Sequence, residues 1–180
     1  PVVTFGFSKG VDVRAKNIEL KGFKGSTCRV KTPSGDFSLA LALPGRQGIA
    51  NALAAIAVAH SFGISNKVIC EGLRSVQPAV GRGQAITLAN GTCLVDDTYN
   101  ANPAAVKAGI DVLATCAGRR RLVLGSMLEL GAESDALHRE VGLAAREAGI
   151  EELWAVGERA AQAVIAFGLG GRVFESVATL

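Results

Sequence analysis

The sequence predicts an α/β protein in two parts: short strands followed by helices up to about residue 79, then a parallel sheet with crossover helices from about residue 80 onward. Three observations carry this. Short strand-like apolar runs fill Val2 to Leu43. Helical spacing then takes over until Gln77-Pro78, where proline disfavours helical geometry in the residue before it. Beyond Cys93, short apolar runs alternate with amphipathic stretches, the signature of strands joined by helices.

Taken in order, strands are expected over Val2–Phe7, Val11–Leu20, Ser26–Lys31 and Asp36–Leu43, with Thr32-Pro33-Ser34-Gly35 joining the last two as a hairpin. Leu43-Pro44-Gly45 closes the sheet region. A helix over Ile49–Phe62 places Ile49, Leu53 and Ile56 on one face among small alanines, and a shorter helix covers Ser65–Val76. In the second part, Cys93–Asp96 reads as a buried strand. Asn102-Pro103 opens a helix, with Asn as N-cap and Pro at the first helical position, that buries Val106, Ile110 and Leu113. Strand Leu122–Gly125, helix Ser134–Ala148 with Gly149 as its C-cap, strand Leu153–Gly157, helix Glu158–Phe167 and a last strand at Arg172–Phe174 follow.

Composition narrows the classes. With 49% hydrophobic and 19% charged residues among 180, the chain has the apolar content to build a core and too little charge to be disordered. Its net charge of +3 is scattered, apart from Arg119-Arg120-Arg121, which argues against a nucleic-acid partner. Apolar stretches are interrupted too often for a membrane-spanning helix. The four cysteines, Cys28, Cys70, Cys93 and Cys116, form no C-x-x-C pair and are expected to be reduced, mostly buried cytosolic thiols. The chain starts at Pro1 within strand-like sequence and stops at Leu180 without a charged tail, so it is expected to be a piece of a longer protein.

Ligands of parallel α/β sheets sit beyond the carboxyl ends of the strands, and the residues there are polar or glycine. The first such end is Asp96-Asp97-Thr98-Tyr99-Asn100-Ala101-Asn102-Pro103. Its carboxylates suit ribose hydroxyls or a metal, and its helix N-terminus suits an anion; the same residues equally suit a capped, solvated turn. Gly125-Ser126-Met127-Leu128-Glu129-Leu130-Gly131 forms the second end and Gly157 the third. Arg82, between Gly81 and Gly83, is placed to reach a phosphate from a mobile junction or to be an ordinary surface arginine. His60 and His138 have no second ligand at metal-binding spacing and read as ordinary helix residues. The G-x-x-x-x-G-K-[ST], G-x-G-x-x-G and G-x-S-x-G motifs are absent. Residues alone therefore indicate a polar strand-end cluster without specifying a reaction.

Several segments taken in order carry a resemblance: Leu43-Pro44-Gly45-Arg46, Asn51-Ala52-Leu53-Ala54-Ala55, Gly81-Arg82, Asp96 to Pro103, Gly125 to Gly131, and His138-Arg139-Glu140-Val141-Gly142. Together they resemble the Mur ligases of peptidoglycan synthesis, over nearly the whole chain. The D-D-x-Y-N-A-N-P and M-L-E-L-G forms are similar to those of the branch that adds a dipeptide. The resemblance implies the end of a central ATPase domain at 1–79, followed by the start of a Rossmann-like ligase domain at 80–180. It also implies ATP and Mg²⁺ as cofactors, and UDP-N-acetylmuramoyl-tripeptide and D-alanyl-D-alanine as substrates. The tripeptide carboxylate would be phosphorylated and then attacked by the dipeptide amine, in a cytoplasmic monomer. Carried over by position, Asn51 matches the amide near adenine, Arg82 the hinge arginine near the ATP phosphates, and Asp97 the acid on the ribose; Asp96 matches that acid less well. Tyr99 and Asn100 would shape the nucleotide contact.

Two positions depart from the family pattern. Gln47-Gly48 stands where His-Asn is usual, and Ser126 replaces the acid of Gly-Asp-Met. The family's P-loop, catalytic Glu and modified lysine are expected upstream of Pro1, with further ligase domain beyond Leu180. No catalytic residue is therefore expected in this chain, which alone should be inactive. Alternatives are another Mur or folylpolyglutamate-type amide ligase, or a non-catalytic nucleotide-binding module; a nicotinamide dehydrogenase lacks its glycine fingerprint.

Overall fold

A computed structural model describes residues 2–180. These divide into two compact units, the first ending at Asp96 and the second running Asp97–Leu180.

In the first unit, β1 (Phe5–Gly6), β2 (Val13–Leu20), β3 (Ser26–Thr32) and β4 (Gly35–Leu41) form a sheet in that order. β1 pairs parallel to β2, and the other neighbours pair antiparallel. Period-two alternation sends Val13, Ala15, Cys28, Val30, Leu39 and Leu41 to the inner face, where α1 (Gly45–Ser61) lays down Ile49, Leu53 and Ile56, all fully buried. Each such side chain contributes about 1.5–3 kcal/mol on leaving water. α2 (Asn66–Arg74) adds Ile69 and Cys70; Ser65 caps it by accepting from the Val68 N–H. The opposite sheet face is charged, with Asp36 bridged by Lys16 and Arg29. These partners hold the Asp36 carboxyl below the ordinary aspartate range, with the Lys16 hydrogen bond as the largest cause. The unit ends in a separate antiparallel ribbon of β5 (Gln84–Thr87) and β6 (Cys93–Asp96).

In the second unit, β7 (Arg121–Gly125), β8 (Glu152–Val156) and β9 (Gly171–Phe174) form a parallel sheet in chain order. α3 (Pro103–Ala114), α4 (Ser134–Glu147) and α5 (Ala161–Phe167) are its helices. Leu124, Leu153 and Ala155 meet Ile110, Val141, Ala145, Ala163 and Phe167 in one core. The basic run is a clamp at the amino ends of the strands. Arg120 binds both Glu151 carboxylate oxygens and the carbonyls of Ala114 and Gly149, tying the ends of α3 and α4 to β8. Those contacts pull the Glu151 carboxyl down to about 2, the Arg120 side-chain hydrogen bond being the largest cause. Arg119 and Arg121 pair with Glu152, and Arg121 lies 3.6 Å over the ring of Trp154.

Several expectations need correction. Pro1 lies outside the described residues, and the first strand is only Phe5–Gly6, because that is where β2 offers a partner. α1 starts at Gly45: Pro44, extended, serves as N-cap, and Gln47-Gly48 belong to the first turn. Cys93–Asp96 is a strand, but an exposed one, hydrogen-bonded antiparallel to β5 rather than placed in the parallel sheet. Its partner closes through Asn90-Gly91, where Asn90 Oδ1 accepts from the Thr92 N–H. Cys93 is accordingly exposed and Cys116 half-buried, so only Cys28 and Cys70 are buried; all four are free thiols. Burial pushes the Cys28 thiol up. The last helix begins at Ala161 rather than Glu158, after a turn in which Ser126 Oγ accepts from the Ala160 N–H at 3.3 Å.

Candidate nucleotide site

Within the first unit, one glycine brings three motifs together. Gly81 and Gly83 both adopt left-handed backbone, φ 71° and 75°, which glycine enters without strain, and both are buried. Arg82 between them is exposed, with its N–H on the Ala79 carbonyl. Gly83 donates its N–H to the Asp96 carbonyl at 2.9 Å, and a Cβ on it would stand 3.3 Å from Pro44 Cγ, the N-cap of α1. The start of α1, the arginine and the end of β6 thus converge.

Asn51 lies on the second turn of α1, exposed, with Oδ1 accepting from Gln47 Nε2 at 3.1 Å. Gln47 therefore supplies an amide one turn before Asn51. Gly48 fits its position sterically: a Cβ there would come 2.8 Å from Leu43 Cβ and 3.1 Å from its backbone. Arg46 stacks on the Phe7 ring at 4.3 Å.

In the second unit, Asp97, Tyr99 and Asn100 are exposed on the segment leading to α3. Asn102 Oδ1 caps α3 by accepting from the Ala105 N–H at 2.9 Å, and Pro103 takes the first helical position, as the sequence predicts. Asp97 Oδ2 lies 3.7 Å from where a Cβ on Gly109 of α3 would stand.

Sequence reasoning missed the role of His138. Fully buried on α4, it accepts the Met127 N–H at Nε2 over 2.9 Å, so its proton sits on Nδ1, which donates to the Ser134 carbonyl at 2.7 Å. It thereby ties the loop after β7 to the start of α4. Gly142, four residues on, lets α5 close: a Cβ would lie 2.1 Å from the Ala163 carbonyl oxygen. The spacing of His138 and Gly142 on one helix face was the available signal. His60 meets Ser34 Oγ through Nε2 at 3.1 Å. Among the described residues no group of three His, Cys, Asp or Glu is placed to hold a metal ion, and no helix is long and apolar enough to cross a membrane.

Two family models match the chain: the Mur ligase middle domain over residues 1–59 and the Mur ligase, glutamate ligase domain over residues 81–180. The UDP-N-acetylmuramoyl-tripeptide--D-alanyl-D-alanine ligase of Escherichia coli (strain K12) is 41% identical over 169 residues, covering 94% of this chain and 37% of that protein. A crystal structure of MurF from Acinetobacter baumannii superposes with a TM-score of 0.90 at 34% identity, covering 98% of this chain and 38% of that one. MurF ligase from Thermotoga maritima, solved in complex with ADP, shares the fold with a TM-score of 0.76 at 22% identity, over 95% of this chain and 44% of that one. The chain thus spans well under half the length of these relatives. With the ligase-domain model alone covering more than half of its residues, the chain belongs to the Mur ligase family.

Proposed function

We propose that this chain is part of an ATP-dependent amide ligase of peptidoglycan synthesis that joins D-alanyl-D-alanine to UDP-N-acetylmuramoyl-tripeptide, and that its residues form the adenosine side of the nucleotide site. The observation that carries the reading is the seat of Gly83 within the first unit, which gathers the α1 N-terminus, Arg82 and the Asp96 end of β6. Each residue has the chemistry its family position calls for: Asn51, bonded to Gln47, has an amide suited to the base, Asp97 a carboxylate suited to ribose hydroxyls, Arg82 a guanidinium suited to phosphate, and Tyr99 and Asn100 polar groups suited to the nucleotide. ATP, when bound, supplies the phosphoryl group that activates the tripeptide carboxylate for attack by the dipeptide amine. This chain's own residues bind and orient the adenosine. The phosphate and Mg²⁺ side is assigned to the part of the relatives that this chain does not span, so the chain alone is inactive. Residues 1–79 are then the end of the central ATP-binding domain and 80–180 the start of the ligase domain, in a monomeric cytoplasmic enzyme.

The full-length protein should release phosphate from ATP only when UDP-N-acetylmuramoyl-tripeptide and D-alanyl-D-alanine are both present. Release driven instead by UDP-N-acetylmuramate with L-alanine would assign it to another Mur ligase, and no release with any acid and amine pair would overturn the ligase reading.

A further inference from the structure

A groove crosses the outer face of the first unit's sheet, and none of the residues assigned to the nucleotide lines it. One section, of about 340 Å³, holds Asn17, Arg29 and Arg74; past Thr27 and Ala40 it continues into a second of about 300 Å³, where Lys21 and Lys24 stand. The sequence sets this face. Period-two alternation turns Thr27, Arg29 and Lys31 outward from β3 while Cys28 and Val30 enter the core. A bulge between Lys16 and Glu19 places Asn17, at φ 52°, on the groove, and bulges re-aim side chains beside sites. The acids of the face are already engaged, Asp36 by Lys16 and Arg29, Glu19 by Lys21 and the Thr27 hydroxyl. These pairs use none of Lys24, Lys31 and Arg74, so the face keeps an excess of positive charge. Small-molecule sites enclose most of their ligand in an apolar cavity, whereas this groove lies open along about 13 Å of strand. No aromatic ring lines it, so it offers no stacking platform for bases. The cations line a groove rather than a raised face, which an inserted chain reaches and a flat lipid surface does not. Arg29 and Lys31 recur at about 7 Å, the spacing of same-side residues along an extended peptide.

We propose that this groove is a docking site for an extended, acidic segment of a partner protein, whose carboxylates pair with Arg74 and Lys24 while Arg29 and Lys21 flank them. An arginine fork meets a carboxylate through two parallel hydrogen bonds. In the full-length protein, with ATP at saturation to fill the nucleotide site, a short fluorescent oligoglutamate peptide should bind with an affinity that falls as salt rises. Arg74→Glu on α2 and Lys24→Glu in the turn before β3 should each weaken that binding about fivefold or more, through a lost ion pair and a new repulsion. Lys67→Glu, at the other end of α2 and outside the groove, makes the same change in net charge and should leave binding near wild type. Thermal unfolding of the three variants checks that each is folded. No binding by the wild-type protein at low salt overturns the proposal, and so does equal weakening by Lys67→Glu, which reduces the groove to a share of the net charge. Tighter binding to phosphatidylglycerol vesicles or to a single-stranded oligonucleotide than to oligoglutamate, weakened by the same two groove variants, overturns the choice of a protein segment.

Discussion

Gly142→Ala tests the packing of the second unit at its tightest point. The added Cβ would lie 2.1 Å from the Ala163 carbonyl oxygen, 2.8 Å from its carbonyl carbon and 2.9 Å from its Cα. Reaching the 3.4 Å at which ordinary contact begins requires α5 to retreat by about 1.3 Å along that line. All three obstacles are backbone, so no rotamer change relieves them, and Val141, Ala145 and Ala163 around them are fully buried. Overpacking of this kind costs about 1–3 kcal/mol and belongs here at the upper end. Alanine's helix preference over glycine returns about 1 kcal/mol. Net destabilisation of about 2 kcal/mol follows, a fall in Tm of roughly 10 °C for a unit of this size. Urea denaturation of the 180-residue chain, followed through its single tryptophan, Trp154 on β8, reads this unit directly. Gly109→Ala on α3 is the control. Its Cβ would meet only Asp97 Oδ2, at an ordinary 3.7 Å, so stability should hold or rise by up to about 1 kcal/mol. Equal effects of the two substitutions would refute the close approach of α4 and α5.

Other outcomes follow from the same geometry. His138→Leu should orphan the Met127 N–H in the interior, at a cost of about 1–3 kcal/mol, whereas His138→Gln, which keeps an acceptor, should lose less; the Trp154 transition measures both. Glu151 is depressed from 4.5 to about 2 in the folded chain, so its pairing with Arg120 contributes stability above the unfolded value that is lost as pH falls through the folded one. Between about pH 4.5 and 2, Glu151→Gln should flatten the fall in denaturation midpoint; an unchanged slope would remove the clamp from the explanation.

What the sequence disclosed depended on whether a residue's role was local. The helical repeat of Ile49, Leu53 and Ile56 and the cap at Asn102-Pro103 are written in adjacent residues, and both stand in the fold. The Thr32–Gly35 hairpin was legible for the same reason. Cys93–Asp96 looked buried because its composition is apolar, yet pairing with β5 leaves Cys93 and Leu94 exposed; the cue, Asn90-Gly91, lay outside the run. The first turn of α1 was concealed by two glycines, one of which is there because Leu43 fills the space a side chain would take. His138 went unread because its partners are backbone groups, which no residue pattern reveals. At the candidate site, residue types and order were legible, while the seat of Gly83 against Pro44 and Asp96 required coordinates.

The most direct test of the nucleotide role is the KM for ATP of Asp97→Asn in the full-length ligase. A charge-assisted bond to ribose hydroxyls predicts a rise of about tenfold or more, with KM for D-alanyl-D-alanine unchanged. An unchanged KM for ATP, in an enzyme that still turns over, would contradict the placement of adenosine at this strand end.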